Sequence, residues 1–224
     1  MEARGREAGR KRPLDPLLLA LRLLPFLTSC ALYFLLWLPE EEPSWMGALA
    51  KCLPILCLAG GVHVAAPPGP YSRGLCRGLL CSALGDVLLV WPDCFVFGMA
   101  AFALAHVFYV QALGWVPIRL ALLGPGLVVS GLYFRLLKPH LPAELGLPVG
   151  LYIAILALMQ WRALARGSPA ALGGVLFSVS DAVLGWDTFV RPLASGRLTV
   201  MVTYYAAQGL LALSAEQGRP RRAD

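Results

Sequence analysis

Two carboxylates stand where carboxylates are costly. Asp86 interrupts "SALGDVLLVW" (82–91) and Asp181 interrupts "SVSDAVLGW" (178–186), both otherwise apolar runs. A charge at the centre of a membrane helix costs roughly 2.5–3.5 kcal/mol on insertion scales, so such residues persist for a reason. One reason is structural: an ion pair, or a buried hydrogen bond between helices. The other is a paired carboxyl site in a polar cavity. Burial raises a carboxyl pKa, and a neighbouring carboxylate raises one of the two further, so one member can keep a proton near neutral pH and act as an acid. Its ionised partner can act as a base or stabilise developing positive charge. Such a pair titrates as a unit, which leaves open which Asp plays which part.

Other polar side chains fall at similar depth. Lys51 interrupts an apolar stretch and would most simply neutralise one Asp. Phe102, His106 and Tyr109 recur at helical spacing and share one face. Tyr204, Tyr205 and Gln208 cluster later in the chain, and Asp187 follows Asp181 by six residues, at a rim or in a loop. Asp93 reads as a solvated turn residue, and the six tryptophans read mainly as belt residues near span ends. No metal-ligand cluster, GxSxG elbow or glycine-rich phosphate loop is present, and no cofactor is expected.

The elements that must position these groups follow from composition. Of the 224 residues, 58% are hydrophobic and 14% charged, against about 25% charged in soluble domains. A membrane helix needs about 20 largely apolar residues. Eight candidates appear, near 20–38, 44–64, 74–91, 94–113, 116–134, 146–162, 170–188 and 197–214. The expected fold is therefore an all-α membrane bundle of eight spans over 20–215, flanked by basic tails at 1–19 and 216–224. The first apolar run, 17–38, is longer than the ~7–15 residues of a signal-peptide core and reads as a retained span. Six cysteines are scattered without a C-x-x-C and read as reduced packing residues, with Cys76 a palmitoylation candidate.

Placing both termini in the cytosol puts 13 Lys and Arg on that side and 4 on the other, the bias expected of cytoplasmic loops. The basic tails then mark a membrane face, and no nucleic-acid partner is expected. Asp86 and Asp181 each follow a small residue and precede Leu at plus three and Trp at plus five. Both lie on spans running outward, as a four-plus-four parallel repeat would place them.

The stretches "KCLPILCLAG" (51–60), "GDVLLVWP" (85–92), "FALAHVFY" (102–109), "SDAVLGWDTF" (180–189) and "TYYAAQ" (203–208) resemble the YhhN-like membrane family, most closely its mammalian lysoplasmalogenase branch. The likeness covers about residues 25–215. It implies a hydrolase that cleaves 1-alkenyl glycerophosphocholine or glycerophosphoethanolamine to a fatty aldehyde and the glycerophospho-base. It places Asp86 and Asp181 at acidic motif positions and Lys51, His106 and Tyr205 at polar ones, with Asp187 particular to the mammalian branch; Tyr109 and Tyr204 are supporting candidates from their own positions beside His106 and Tyr205. It also implies an endoplasmic reticulum address. The partners expected are the lysophospholipid substrate and the bilayer, and a homodimer stays open.

The chemistry of the residues agrees with that implication. A vinyl ether is stable to base but yields to acid: protonating the carbon beta to oxygen gives an oxocarbenium ion, water adds, and the hemiacetal collapses. An acid, an anion beside the cation and one water suffice, with general acid help worth about 10²–10⁴-fold. Three other classes compete. Intramembrane Asp, Lys and His also form proton relays in transporters. "LGD" at 84–86 is similar to intramembrane aspartyl proteases, although Ala83 stands where those carry a glycine. A lipid-binding protein without catalysis is the fourth.

Overall fold

The computed structural model describes residues 16–37 and 42–216. The tails at 1–15 and 217–224, and Glu40 and Glu41 of the acidic run, lie outside the described residues. Eight helices follow in order: α1 (Pro16–Leu36), α2 (Trp45–Ala65), α3 (Pro70–Leu88), α4 (Phe95–Leu113), α5 (Leu120–Leu137), α6 (Gly146–Arg166), α7 (Ala170–Phe189) and α8 (Gly196–Glu216). Three single turns of 3₁₀ helix, Pro92–Cys94, Lys138–His140 and Ala143–Leu145, lie in the connections. Among the described residues there is no strand.

Helix ends follow local chemistry. Ser44 caps α2, its hydroxyl accepting from the Gly47 amide at 3.1 Å. α3 begins at Pro70, four residues before the expected start, because proline suits the first helical position, where its missing N–H costs nothing. α5 begins only at Leu120, because Arg162 of α6 claims the preceding carbonyls. Its Nε donates to Gly114 O at 2.5 Å and its Nη1 to Pro117 O at 3.0 Å. Arg162, at the end of the expected span 146–162 and one of the 13 cations counted on the cytosolic side, is thus fully buried. Neighbouring Trp161 is buried too, donating to Arg119 O at 2.9 Å, so it is not a belt residue.

Six of the eight helices are long and apolar enough to cross a membrane. The two that fall short, α3 and α7, are the two that carry Asp86 and Asp181. They are also central. α3 packs on α2 and α4, and α7 packs on α6 and α8, while α4 meets α6 and α2 meets α8. The approach of α3 to α4 depends on small residues, as in many membrane helix pairs. The face of Gly78 lies against the Tyr109 ring, and a Cβ on Gly85 would sit 2.6 Å from the Phe102 ring. α5 lies at the margin: Leu137 is its one buried residue among those described, and Val128 and Val129 point outward.

Candidate active site

α3 and α7 bring Asp86 and Asp181 to one cavity of about 310 Å³. Lys51 of α2, Tyr152 of α6 and Tyr204 of α8 also line it, and the rest of its wall is mostly aliphatic and aromatic. Exposed Val129 of α5 and Val179 of α7 belong to the same wall, so the cavity reaches the outer flank where α5 and α7 meet.

Each carboxylate has its own tyrosine. Asp86 is buried, and its Oδ2 accepts from the Tyr204 hydroxyl at 2.7 Å. Asp181 Oδ2 accepts from the Tyr152 hydroxyl at 2.5 Å, and His106 Nε2 lies 3.5 Å from the same oxygen. The Tyr152 hydroxyl is also 3.2 Å from His106 Nε2, so Tyr152 bridges the imidazole and the carboxylate. The two aspartates therefore share a cavity but not a hydrogen bond, among the described residues. No ion pair joins Lys51 to either of them among those residues, although Lys51 shares the cavity wall with both.

His106 is completely buried, packed edge-on against Phe177 with ring centroids 4.7 Å apart. Its Nδ1 has no hydrogen-bond partner among the described residues. Phe102 and Tyr109 share its helix face as expected, and all three are buried. Tyr109 turns away from the cavity: it donates to Gln208 Oε1 at 2.7 Å and lies 3.3 Å from Ser82 Oγ.

Three expected site residues have other placements. Tyr205 donates to the backbone carbonyl of Lys51 at 2.8 Å and packs its ring on Tyr33 and Phe34. Successive helical residues point about 100° apart, and here Tyr204 lines the cavity while Tyr205 turns to α1 and α2. Asp187 Oδ1 accepts from the Leu193 amide at 2.6 Å and organises the α7–α8 turn, outside the cavity wall. Six residues place it about 120° around the helix from Asp181. Tyr109 is the third. Tyr152, conversely, escaped the sequence reading. No local signal marked it: it lines the cavity together with Gln160 of the same helix, but only the packing of α6 on its neighbours sets that.

Comparisons with known proteins converge. Residues 46–215 match the model of the YhhN family. Lysoplasmalogenase TMEM86B of Homo sapiens is 51% identical over 86% of this chain and 85% of its own. Lysoplasmalogenase TMEM86A of Bos taurus is 39% identical over 88% of this chain and 90% of its own. The similarity extends to bacteria: a lysoplasmalogenase of Mycobacterium tuberculosis is 33% identical over 80% of this chain and 71% of its own. No solved structure matches the chain.

Proposed function

This chain belongs to the YhhN family, and we propose that it is a lysoplasmalogenase, hydrolysing the vinyl ether of 1-alkenyl lysophospholipids to a fatty aldehyde and the glycerophospho-base. The observation that carries the mechanism is the pair of carboxylates on one apolar cavity, each oriented by a tyrosine. Asp86 gives its proton to the carbon beta to the ether oxygen, converting the alkene to an oxocarbenium ion. Asp181, beside His106, carries the negative charge that stabilises that ion and orients the water that adds to it. The added water passes one proton to the Asp86 carboxylate, restoring the acid and leaving a hemiacetal, whose hydroxyl proton goes to the leaving glycerol alkoxide as the C–O bond breaks and the aldehyde C=O forms. Preorganised charge of this kind acts strongly where water is excluded. The wall at α5 and α7 holds the alkenyl chain, which enters sideways from lipid.

The finer organisation is part of the same proposal. All eight helices cross the bilayer of the endoplasmic reticulum, with residues 20–215 as the catalytic unit and the basic tails at 1–19 and 216–224 in the cytosol. Matching contacts support a parallel four-plus-four repeat: α3 on α4 as α7 on α8, α2 on α3 as α6 on α7, and α4 on α6 as α8 on α2. The test of function is product analysis. Purified protein in detergent receives 1-alkenyl, 1-acyl and 1-alkyl lysophospholipids, and the products are identified by mass spectrometry. Fatty aldehyde and glycerophospho-base should form from the alkenyl lipid alone. Absence of aldehyde, or release of fatty acid from the acyl lipid, overturns the reading.

A further inference from the structure

A second cavity of about 270 Å³ adjoins the first. Lys51, Leu89, Phe95 and Leu184 line both, so the two are separated only by that shared wall. The second differs in chemistry: Lys51, Arg197, Tyr33, Ser44, Thr188 and Glu42 contribute polar groups to it. It lies at one end of the bundle, where α1 and α7 finish and α2 and α8 begin. This is the end away from Pro16 and Glu216.

The geometry points to this cavity as the subsite for the zwitterionic glycerophospho-base, with Arg197 and Lys51 receiving the phosphate and Glu42 the terminal ammonium. It rests on the lysoplasmalogenase reading for the lipid that spans both cavities. The Arg197 guanidinium stacks over Trp37, 4.1 Å from the ring centroid, and lies 5.7 Å from that of Tyr33, whose hydroxyl accepts from its Nε at 3.4 Å. Stacking fixes the plane of a planar fork, the form in which Arg recognises phosphate. Lys51 sits at the junction, in no ion pair with a described residue. Among the described residues, two cations on the wall and one exposed carboxylate match a head group whose phosphate is anionic and whose tip is cationic. A phosphate bound there leaves the first glycerol carbon, and the vinyl ether on it, on the Asp86 side of the shared wall. The head group then enters from the face opposite the chain termini, while the tail enters from the flank.

Binding of a non-cleavable 1-alkyl-glycerophosphocholine to the purified full chain tests this, compared with 1-alkylglycerol and with inorganic phosphate. Two variants are used: Arg197→Gln, and Thr188→Trp, which fills the cavity from an exposed position should the first fail to fold. Each should raise the Kd for the phosphate-bearing lipid at least tenfold and leave 1-alkylglycerol within twofold. Arg197→Lys should retain an intermediate affinity. Equal weakening of both lipids, or an unchanged phosphate lipid, overturns the subsite. Saturable binding of inorganic phosphate at the lipid's own affinity also overturns it, in favour of a free-anion site. Because binding is read, the result stands apart from turnover: no aldehyde from an alkenyl lipid would sink the lysoplasmalogenase reading alone.

Discussion

Tyr204 donates its hydroxyl to Asp86 at 2.7 Å across 118 positions of sequence, fastening α8 to the last turn of α3. Tyr152 does the same for Asp181, fastening α6 to α7. Each carboxylate is thus aimed by a helix other than its own. Positioning of this kind limits the orientations a charged group must search before reaction. The arrangement also explains why two costly residues are tolerated in apolar helices: neither acid is left without a donor.

Removing either carboxylate should remove the chemistry. Asp86→Asn and Asp181→Asn keep size and most hydrogen-bonding capacity but lose the proton donor or the anion. Each is expected to lower aldehyde release at least about 100-fold, the lower range for general acid–base groups. Monodisperse elution in detergent establishes that the variants fold. A folded variant of either kind with near wild-type aldehyde release would refute its role.

The tyrosines should behave as positioning residues. Tyr204→Phe and Tyr152→Phe each delete one bond to a carboxylate, worth about 1.5–3 kcal/mol when the partner is charged. If that bond serves the transition state, kcat falls roughly 10–100-fold while KM moves little, since neither hydroxyl holds the tail. A purely structural role would appear instead as a lower unfolding temperature with kcat preserved. Steady-state kinetics and thermal unfolding on the same preparations separate the two.

The limits of the sequence follow from the same geometry. Asp86, Asp181 and Lys51 were legible because each breaks an apolar run, and all three reach the cavity. Helix starts such as Ala170 and Gly146 were legible from hydropathy and from the glycine and proline around them. Tyr152 was not, because one tyrosine in "LYIAILALMQW" has the same local appearance whether it faces lipid or a carboxylate on another helix. Only packing of α6 on α7 and α4 decides that. Arg162 misled for a related reason: a cation near a span end counts toward topology, but nothing local says that it will be buried to hold the α4–α5 carbonyls. The composition marked eight candidate spans alike, yet the two that carry the acids are the two that fall short of a long apolar crossing helix.

The packing beneath the site should be sensitive to one methyl group. A Cβ on Gly85 would meet the Phe102 ring at 2.6 Å, and Phe102 in turn packs on Tyr204 with centroids 5.8 Å apart. Gly85→Ala is expected to destabilise the protein by about 1–3 kcal/mol, as overpacking does. Phe102→Leu in the same chain should recover most of that loss, giving a strong coupling in the double-mutant cycle. Additive losses in thermal unfolding would mean that the contact does not limit the approach of α3 to α4.

The order of bond making can be read from isotopes. If Asp86 protonates carbon first, turnover in D₂O places one deuterium on the carbon next to the aldehyde carbonyl, because the proton delivered there comes from an exchangeable carboxyl. In H₂¹⁸O the label should enter the aldehyde oxygen and not the glycerol, because water adds to the oxocarbenium carbon and the glycerol keeps its ether oxygen. Protonation of carbon is the step that creates charge, so it should limit the rate and give a normal solvent isotope effect. Quenching into borohydride during turnover reduces the aldehyde to an alcohol before its oxygen or its neighbouring carbon exchanges, and mass spectrometry counts both labels in that alcohol. Aldehyde without carbon-bound deuterium, or ¹⁸O recovered in the glycerophospho-base, would exclude acid-initiated cleavage and remove the need for a carboxyl donor at Asp86.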